Sequence, residues 1–148
     1  MDLRDLYQEV IIDHNRNPRN FHAMEHPSSS AEGFNPLCGD KLFLYLKIHE
    51  DHITDVSFTG CGCAISTASA SLMTESIKGQ SLENAQKLFK KFHDFMLQED
   101  GTLEMGKLSV LAGVKTYPSR VKCATLAWHT LEAAMKHSHA VISTEEEA

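Results

Sequence analysis

The sequence predicts an α+β fold, and three observations carry the prediction. Two period-two stretches, Lys41–Ile48 and Ile53–Thr59, flank a short polar connection, which is the pattern of an antiparallel hairpin. Apolar residues at helical spacing precede that hairpin and follow it. Between the second strand and the next helix, Gly60-Cys61-Gly62-Cys63 interrupts both patterns.

In chain order, Leu3, Leu6, Tyr7, Val10 and Ile11 mark an amphipathic helix that ends near Asn15, because Pro18 disfavours helix just before itself. Asp13-His14 and Pro18-Arg19-Asn20 lie at its exit and read first as helix termination plus a solvated loop. Residues 22–34, with Pro27, Ser28, Ser29, Ser30 and Gly33, read as a loop with at most a short edge strand leading into Asn35. The hairpin follows: Leu42, Leu44, Leu46 and Ile48 share one face, Glu50-Asp51 turns the chain, and Val56 and Phe58 point inward from the returning strand. Ala64 to about Lys78 is a helix of small side chains with Gly79 as its C′ residue. Ser81 N-caps the next helix, whose stripe of Leu82, Ala85, Leu88, Phe89, Phe92 and Met96 is core. Asp100-Gly101 is a turn, Lys107–Leu111 a short helix ended by Gly113, and Val114–Arg120 a loop containing Pro118. Val121, Ala124, Trp128, Leu131 and Met135 then define the last long helix.

Composition narrows the function. The chain has 148 residues, enough for one domain with a core, expected over residues 1–142, with 143–148 as a disordered acidic tail. A formal net charge of −6 argues against a nucleic-acid partner. No apolar run approaches the ~18 residues of a membrane span. The first residues, Met-Asp-Leu-Arg-Asp-Leu-Tyr, carry acids where a signal peptide carries a basic region. The expectation is cytoplasmic, where thiols stay reduced, so the four cysteines point to metal or sulfur chemistry before disulfides.

Asn35-Pro-Leu-Cys38-Gly39-Asp40 places a thiol and a carboxylate two residues apart on a loop at a strand edge. Alone, that tripeptide reads equally well as a buried free cysteine beside a turn aspartate. Cys63 falls at a helix N-terminus and Cys123 in the first turn of the last helix, where unpaired N–H groups favour thiolate. Three thiolates and one carboxylate meeting at such loops would make a four-ligand metal site. The nine histidines are scattered; His137 and His139 read as surface residues, and His129 as packing or solvated.

With these motifs placed, the chain resembles the IscU/NifU family of iron–sulfur cluster assembly proteins from about Leu6 to Lys136. The residues that carry the resemblance are Asp13-His14 with Pro18-Arg19-Asn20, Asn35-Pro-x-Cys38-Gly-Asp40, Gly60-Cys-Gly-Cys63-Ala-Ile-Ser, and Arg120-x-Lys122-Cys123-Ala124-x-Leu126. The resemblance implies a small antiparallel sheet of about three strands with helices packed on one face. Scaffold members carry His-Cys at the last ligand position, whereas Lys122 precedes Cys123 here; they carry Leu-Pro-Pro-Val-Lys where this chain has Tyr117-Pro-Ser-Arg-Val-Lys122. The stretch before that motif is also longer here. These departures are similar to the SufU-type branch, which implies zinc on Cys38, Asp40, Cys63 and Cys123 and sulfur transfer from a SufS-type cysteine desulfurase to downstream cluster-assembly proteins. Cys61 matches the scaffold branch's second cysteine, so a non-enzymatic scaffold for a transient [2Fe–2S] cluster stays as the alternative. A purely structural zinc domain is the third and weaker reading. Cys38, on a loop beside Gly39, is the expected sulfur-accepting nucleophile, freed when a desulfurase histidine takes its place on zinc. Arg120, just before Cys123, is expected to serve docking or sulfur transfer without binding metal.

Overall fold

Strand alternation builds a four-stranded sheet in the computed structural model, which describes residues 3–97, 106–115, 117–136 and 140–144. The strands are β1 (Ser29–Asn35), β2 (Asp40–His49), β3 (His52–Cys61) and β4 (Ala140–Ser143), in spatial order β3-β2-β1-β4. The helices are α1 (Leu3–Arg16), α2 (Ala64–Ile77), α3 (Leu82–Leu97) and α4 (Pro118–Lys136), with a 3₁₀ segment at Gly106–Val114. The α+β class holds. None of the described helices is long and apolar enough to cross a membrane.

The β2–β3 hairpin forms as its alternation dictates. Leu42, Leu44 and Leu46 are buried on one face, opposite Val56 and Phe58 of β3. Glu50 and Asp51 both take positive φ, 49° and 64°, the geometry a two-residue hairpin turn needs to match strand twist. Helices α2 and α4 cover the buried face, α1 packs on α2, and α3 packs on α4. Small residues allow the close approach: Ala68, Ser69, Ala70 and Ser71 of α2 are all buried, and Ser69 Oγ donates to the Ala124 carbonyl of α4 at 2.5 Å. Ser81 caps α3 by accepting from Asn84 N–H at 3.0 Å. The apolar stripe of α3 reaches α4 through Phe92, stacked on the buried Trp128 at 4.5 Å between ring centroids.

Several boundaries depart from the sequence reading. Residues 29–35 form a full strand, not a loop with a short edge strand, and β1 is interior, paired antiparallel with β2 and parallel with β4. Serines and a glycine hid it, yet its burial alternates strictly, with Ser29, Ala31, Gly33 and Asn35 inward. The sheet is therefore mixed, with four strands where about three were expected. The edge strand β4 takes in Ser143, and Thr144 beyond it is buried, so the expected disordered tail does not begin at Ser143. Gly60 and Cys61 belong to β3, so the strand breaks only after Cys61. The 3₁₀ segment runs through Gly113 to Val114. The last helix begins at Pro118, which was placed in a loop; at the first helical position the missing N–H of proline costs nothing. Asp100-Gly101, His137, His139 and residues 145–148 lie outside the described residues.

Candidate metal centre

The β1–β2 connection delivers the first two site residues. Asn35 and Asp40 are register partners, so Pro36 to Gly39 is the whole turn. The Cys38 N–H donates to the Asn35 carbonyl at 3.2 Å, and Gly39 takes φ 71°, which a side chain would strain. Asp40 is thereby buried at the first position of β2, while Cys38 stays half-buried on the turn. From below, α4 raises Cys123, which is fully buried with its Sγ 3.3 Å from Cys38 Sγ. The ligand atoms of Cys38, Asp40 and Cys123 all lie within 4.8 Å of one another.

Cys63 approaches the same carboxylate from α2. It is the N-cap: its sulfur accepts from Ser66 N–H at 3.4 Å, and its own N–H donates to Asp40 Oδ1 at 2.8 Å. Its Sγ stands 4.0 Å from Asp40 Oδ2, beside the mutually close set and outside it. Gly62 is required here, since a Cβ at that position would lie 2.6 Å from Asp40 Oδ1. Cys61 ends β3 opposite Lys41 and is exposed, apart from the grouped ligand atoms.

Arg120 is in the first turn of α4, not on a loop, one turn ahead of Cys123. Its guanidinium hydrogen-bonds the Cys123 sulfur, and that bond, with the Cys63 and Cys38 sulfurs in the same neighbourhood, holds its charge even more firmly than usual. Because α4 starts at Pro118, Cys123 sits in the second turn, and its sulfur contacts the Ser119 carbonyl at 3.7 Å. It gains no free helix N–H. Burial, then the neighbouring Cys38 and Cys63 sulfurs, push the Cys123 thiol up, the opposite of the shift expected from a first-turn position. A crowded set of thiols and a carboxylate cannot all ionise together without added positive charge. A soft or borderline dication would supply that charge, and a sulfur-rich, carboxylate-containing donor set suits zinc. The residues present fit the ion.

A groove of about 970 Å³ opens beside the centre. Cys63 and Arg120 line it together with Ile65, Val114, Tyr117 and Tyr7.

Residues 6–124 match the NifU-like N terminal domain. The chain belongs to that family. Among its relatives, the NifU-like chain is 43% identical over 133 residues to the zinc-dependent sulfurtransferase SufU of Bacillus subtilis (strain 168), covering 88% of this chain and 90% of that one. It is 40% identical over 138 residues to the iron–sulfur cluster assembly scaffold protein IscU of Streptococcus pyogenes serotype M1, covering 92% of this chain and 86% of the other. A solved structure from Fervidobacterium islandicum AW-1, described as a cluster assembly scaffold protein for the SUF system, superposes with a TM-score of 0.79 at 36% identity, over 90% of this chain and 99% of that one.

Two contributors of this NifU-like domain escaped the sequence reading. Asn35 is fully buried, and its Nδ2 donates to Asp40 Oδ2 at 3.3 Å and to Cys123 Sγ at 3.4 Å. The signal was alternation along β1, which turns Asn35 inward with Ala31 and Gly33. His14 is fully buried, not solvated at a helix exit. Its Nδ1 lies 2.7 Å from Ser71 Oγ of α2, and Ser71 Oγ also accepts from Arg19 N–H at 2.9 Å. Arg19 in turn pairs with Asp13 at 2.6 Å, and Asn20 Nδ2 donates to Thr74 Oγ1 at 3.0 Å. The Asp13-His14 and Arg19-Asn20 block is thus a clasp between α1 and α2.

Proposed function

We propose that this NifU-like domain is a zinc-containing sulfurtransferase of iron–sulfur cluster assembly, working in the cytoplasm on persulfide sulfur from a SufS-type cysteine desulfurase. The observation that carries the reading is the convergence of Cys38, Asp40 and Cys123 within 4.8 Å, with Cys63 against the same carboxylate and Arg120 alongside. Its 43% identity to a protein named a zinc-dependent sulfurtransferase supports it. Zinc would be held by Cys38, Asp40, Cys63 and Cys123, and when bound it keeps the sulfurs deprotonated at neutral pH.

The chain's own residues divide the remaining work. Cys63 is fixed as a helix cap and Cys123 is buried, whereas Cys38 is half-buried on a turn between Leu37, 66% exposed, and the left-handed Gly39. Cys38 is therefore the sulfur that can move outward. Its thiolate attacks the terminal sulfur of the donor's cysteine persulfide. A new S–S bond forms on Cys38, the donor's S–S bond breaks, and the electron pair leaves on the donor's cysteine thiolate. Cys38 then carries the persulfide to a downstream assembly protein. Arg120 is exposed and sulfur-facing, so its guanidinium can steady the incoming persulfide anion or pair with a partner carboxylate.

The second relative's name supports the other reading, a scaffold for a [2Fe–2S] cluster. Metal analysis and an absorption spectrum of anaerobically purified protein separate the two. One zinc per chain in colourless protein is the expected result; brown protein with iron and sulfide would replace this reading with the scaffold.

A further inference from the structure

The strongest unexplained connection in the molecule runs from its C-terminal strand into the metal centre. Strand β4 lies beyond residues 6–124, the part that matches the family. It pairs in parallel with β1, with Phe34 opposite Ser143, and the Thr144 N–H donates to the Phe34 carbonyl at 2.9 Å. That pairing sets Thr144 beside Asn35. The Thr144 hydroxyl donates to Asn35 Oδ1 at 3.3 Å, and both residues are buried.

The amide of Asn35 is thus used at both ends. Its oxygen is taken by Thr144, and its nitrogen reaches Asp40 Oδ2 and Cys123 Sγ at 3.3 and 3.4 Å. The chemistry allows only this orientation. A carboxylate, and a sulfur that zinc would keep as thiolate, accept and do not donate, so the side of the amide facing them must be the NH₂. A flipped amide would set an oxygen against two anions. The Thr144 hydroxyl, by donating, favours the working orientation. Asp40 Oδ1 accepts from the Cys63 N–H at 2.8 Å, whereas Oδ2, the oxygen Asn35 holds, lies 4.0 Å from Cys63 Sγ and keeps a second lone pair to face a metal. Hydrogen bonds of this kind aim ligand atoms and tune their basicity.

We infer that Thr144 and Asn35 are positioning residues of the metal centre: the C-terminal strand locks the Asn35 amide, which aims Asp40 Oδ2 and Cys123 Sγ at the ion. The inference rests on the zinc reading above. It assigns β4 a function beyond closing the sheet edge.

The test is zinc affinity of the full chain, by competition with a chromophoric chelator, for wild type, Thr144→Val, Thr144→Ser and Asn35→Ala. Cobalt-substituted spectra of the same proteins read thiolate coordination directly. Thr144→Val keeps the shape and removes the hydroxyl; it is expected to weaken zinc about tenfold, the lower end for loss of such a partner, and to shift the cobalt–thiolate bands. Thr144→Ser is expected to restore both, which a merely structural loss at the sheet edge would not predict. Asn35→Ala is expected to lose more than Thr144→Val. Wild-type zinc binding with an unchanged Thr144→Val affinity and spectrum would overturn this inference alone. Equal losses in Thr144→Val and Thr144→Ser would do the same. Wild type that binds no zinc would overturn the zinc reading and the inference together.

Discussion

Gly62 has no space for a side chain, because Asp40 fills it. The Asp40 carboxylate occupies the volume a Cβ would need, 2.6 Å from Oδ1. Gly62→Ala must therefore displace Asp40 or pull Cys63 N–H away from it. We expect zinc affinity to fall roughly 10–100-fold, comparable to losing an outer partner of a ligand. Far-UV circular dichroism should barely change, because the strain is confined to the cap of α2. Chelator competition measures the affinity, and an unaltered value would mean that Asp40 does not serve the metal. At this scale the sequence was most legible where residue chemistry is unambiguous. Thiols and an aspartate beside glycines pointed to a candidate metal site, and the family resemblance named its ligand set. It was least legible where geometry assigns the role, as for Asn35, whose partners lie 5, 88 and 109 positions away.

Helices α1 and α2 are joined by a clasp that acid is expected to weaken. Ser71 Oγ accepts from Arg19 N–H, which leaves its own proton for His14 Nδ1; the imidazole then holds its proton on Nε2, facing Glu75 Oε1 at 3.6 Å. Burial outweighs the Glu75 charge and holds the His14 pKa below its ordinary value of 6.5. The unfolded chain therefore binds a proton below that value which the folded chain resists. Stability conferred by neutral His14 is present above pH 6.5 and is lost as pH falls below it. Urea unfolding across that range should show this loss, and His14→Gln should flatten the slope. Ser71→Ala strands the buried His14 Nδ1 and the part-buried Arg19 N–H and should cost about 1–3 kcal/mol. An identical slope in His14→Gln would remove His14 from the account. Elements with clean periodicity, α1, β2, β3 and α3, were readable in the sequence, and α2 was readable from its small side chains and Gly79. Strand β1 was not, because serine and glycine carry weak strand preference and its partners supply the burial. The start of α4 was missed because Pro118 was read as a breaker in a position where it starts helices.

For the whole molecule, the sheet and its helices bury a continuous apolar core, so we expect the chain to fold without the ion. Zinc should nonetheless stabilise the native state by mass action. At free zinc a thousandfold above Kd this amounts to about 4 kcal/mol, or on the order of 10 °C in Tm for a chain of this size. Chelation should lower Tm by that amount and leave a cooperative transition; a non-cooperative melt would show that zinc organises the fold itself. The sheet's class followed from the hairpin, but its fourth strand could not be read, since pairing between residues 31–34 and 140–143 is non-local and parallel. The central claim is that Cys38 receives sulfur. It is tested most directly by incubating the zinc-loaded protein with a cysteine desulfurase and cysteine, then mapping sulfur addition by mass spectrometry of its peptides. The account predicts one added sulfur on Cys38, absent in Cys38→Ser. Added sulfur on Cys61 or Cys63 with none on Cys38, or full transfer by Cys38→Ser, would contradict it.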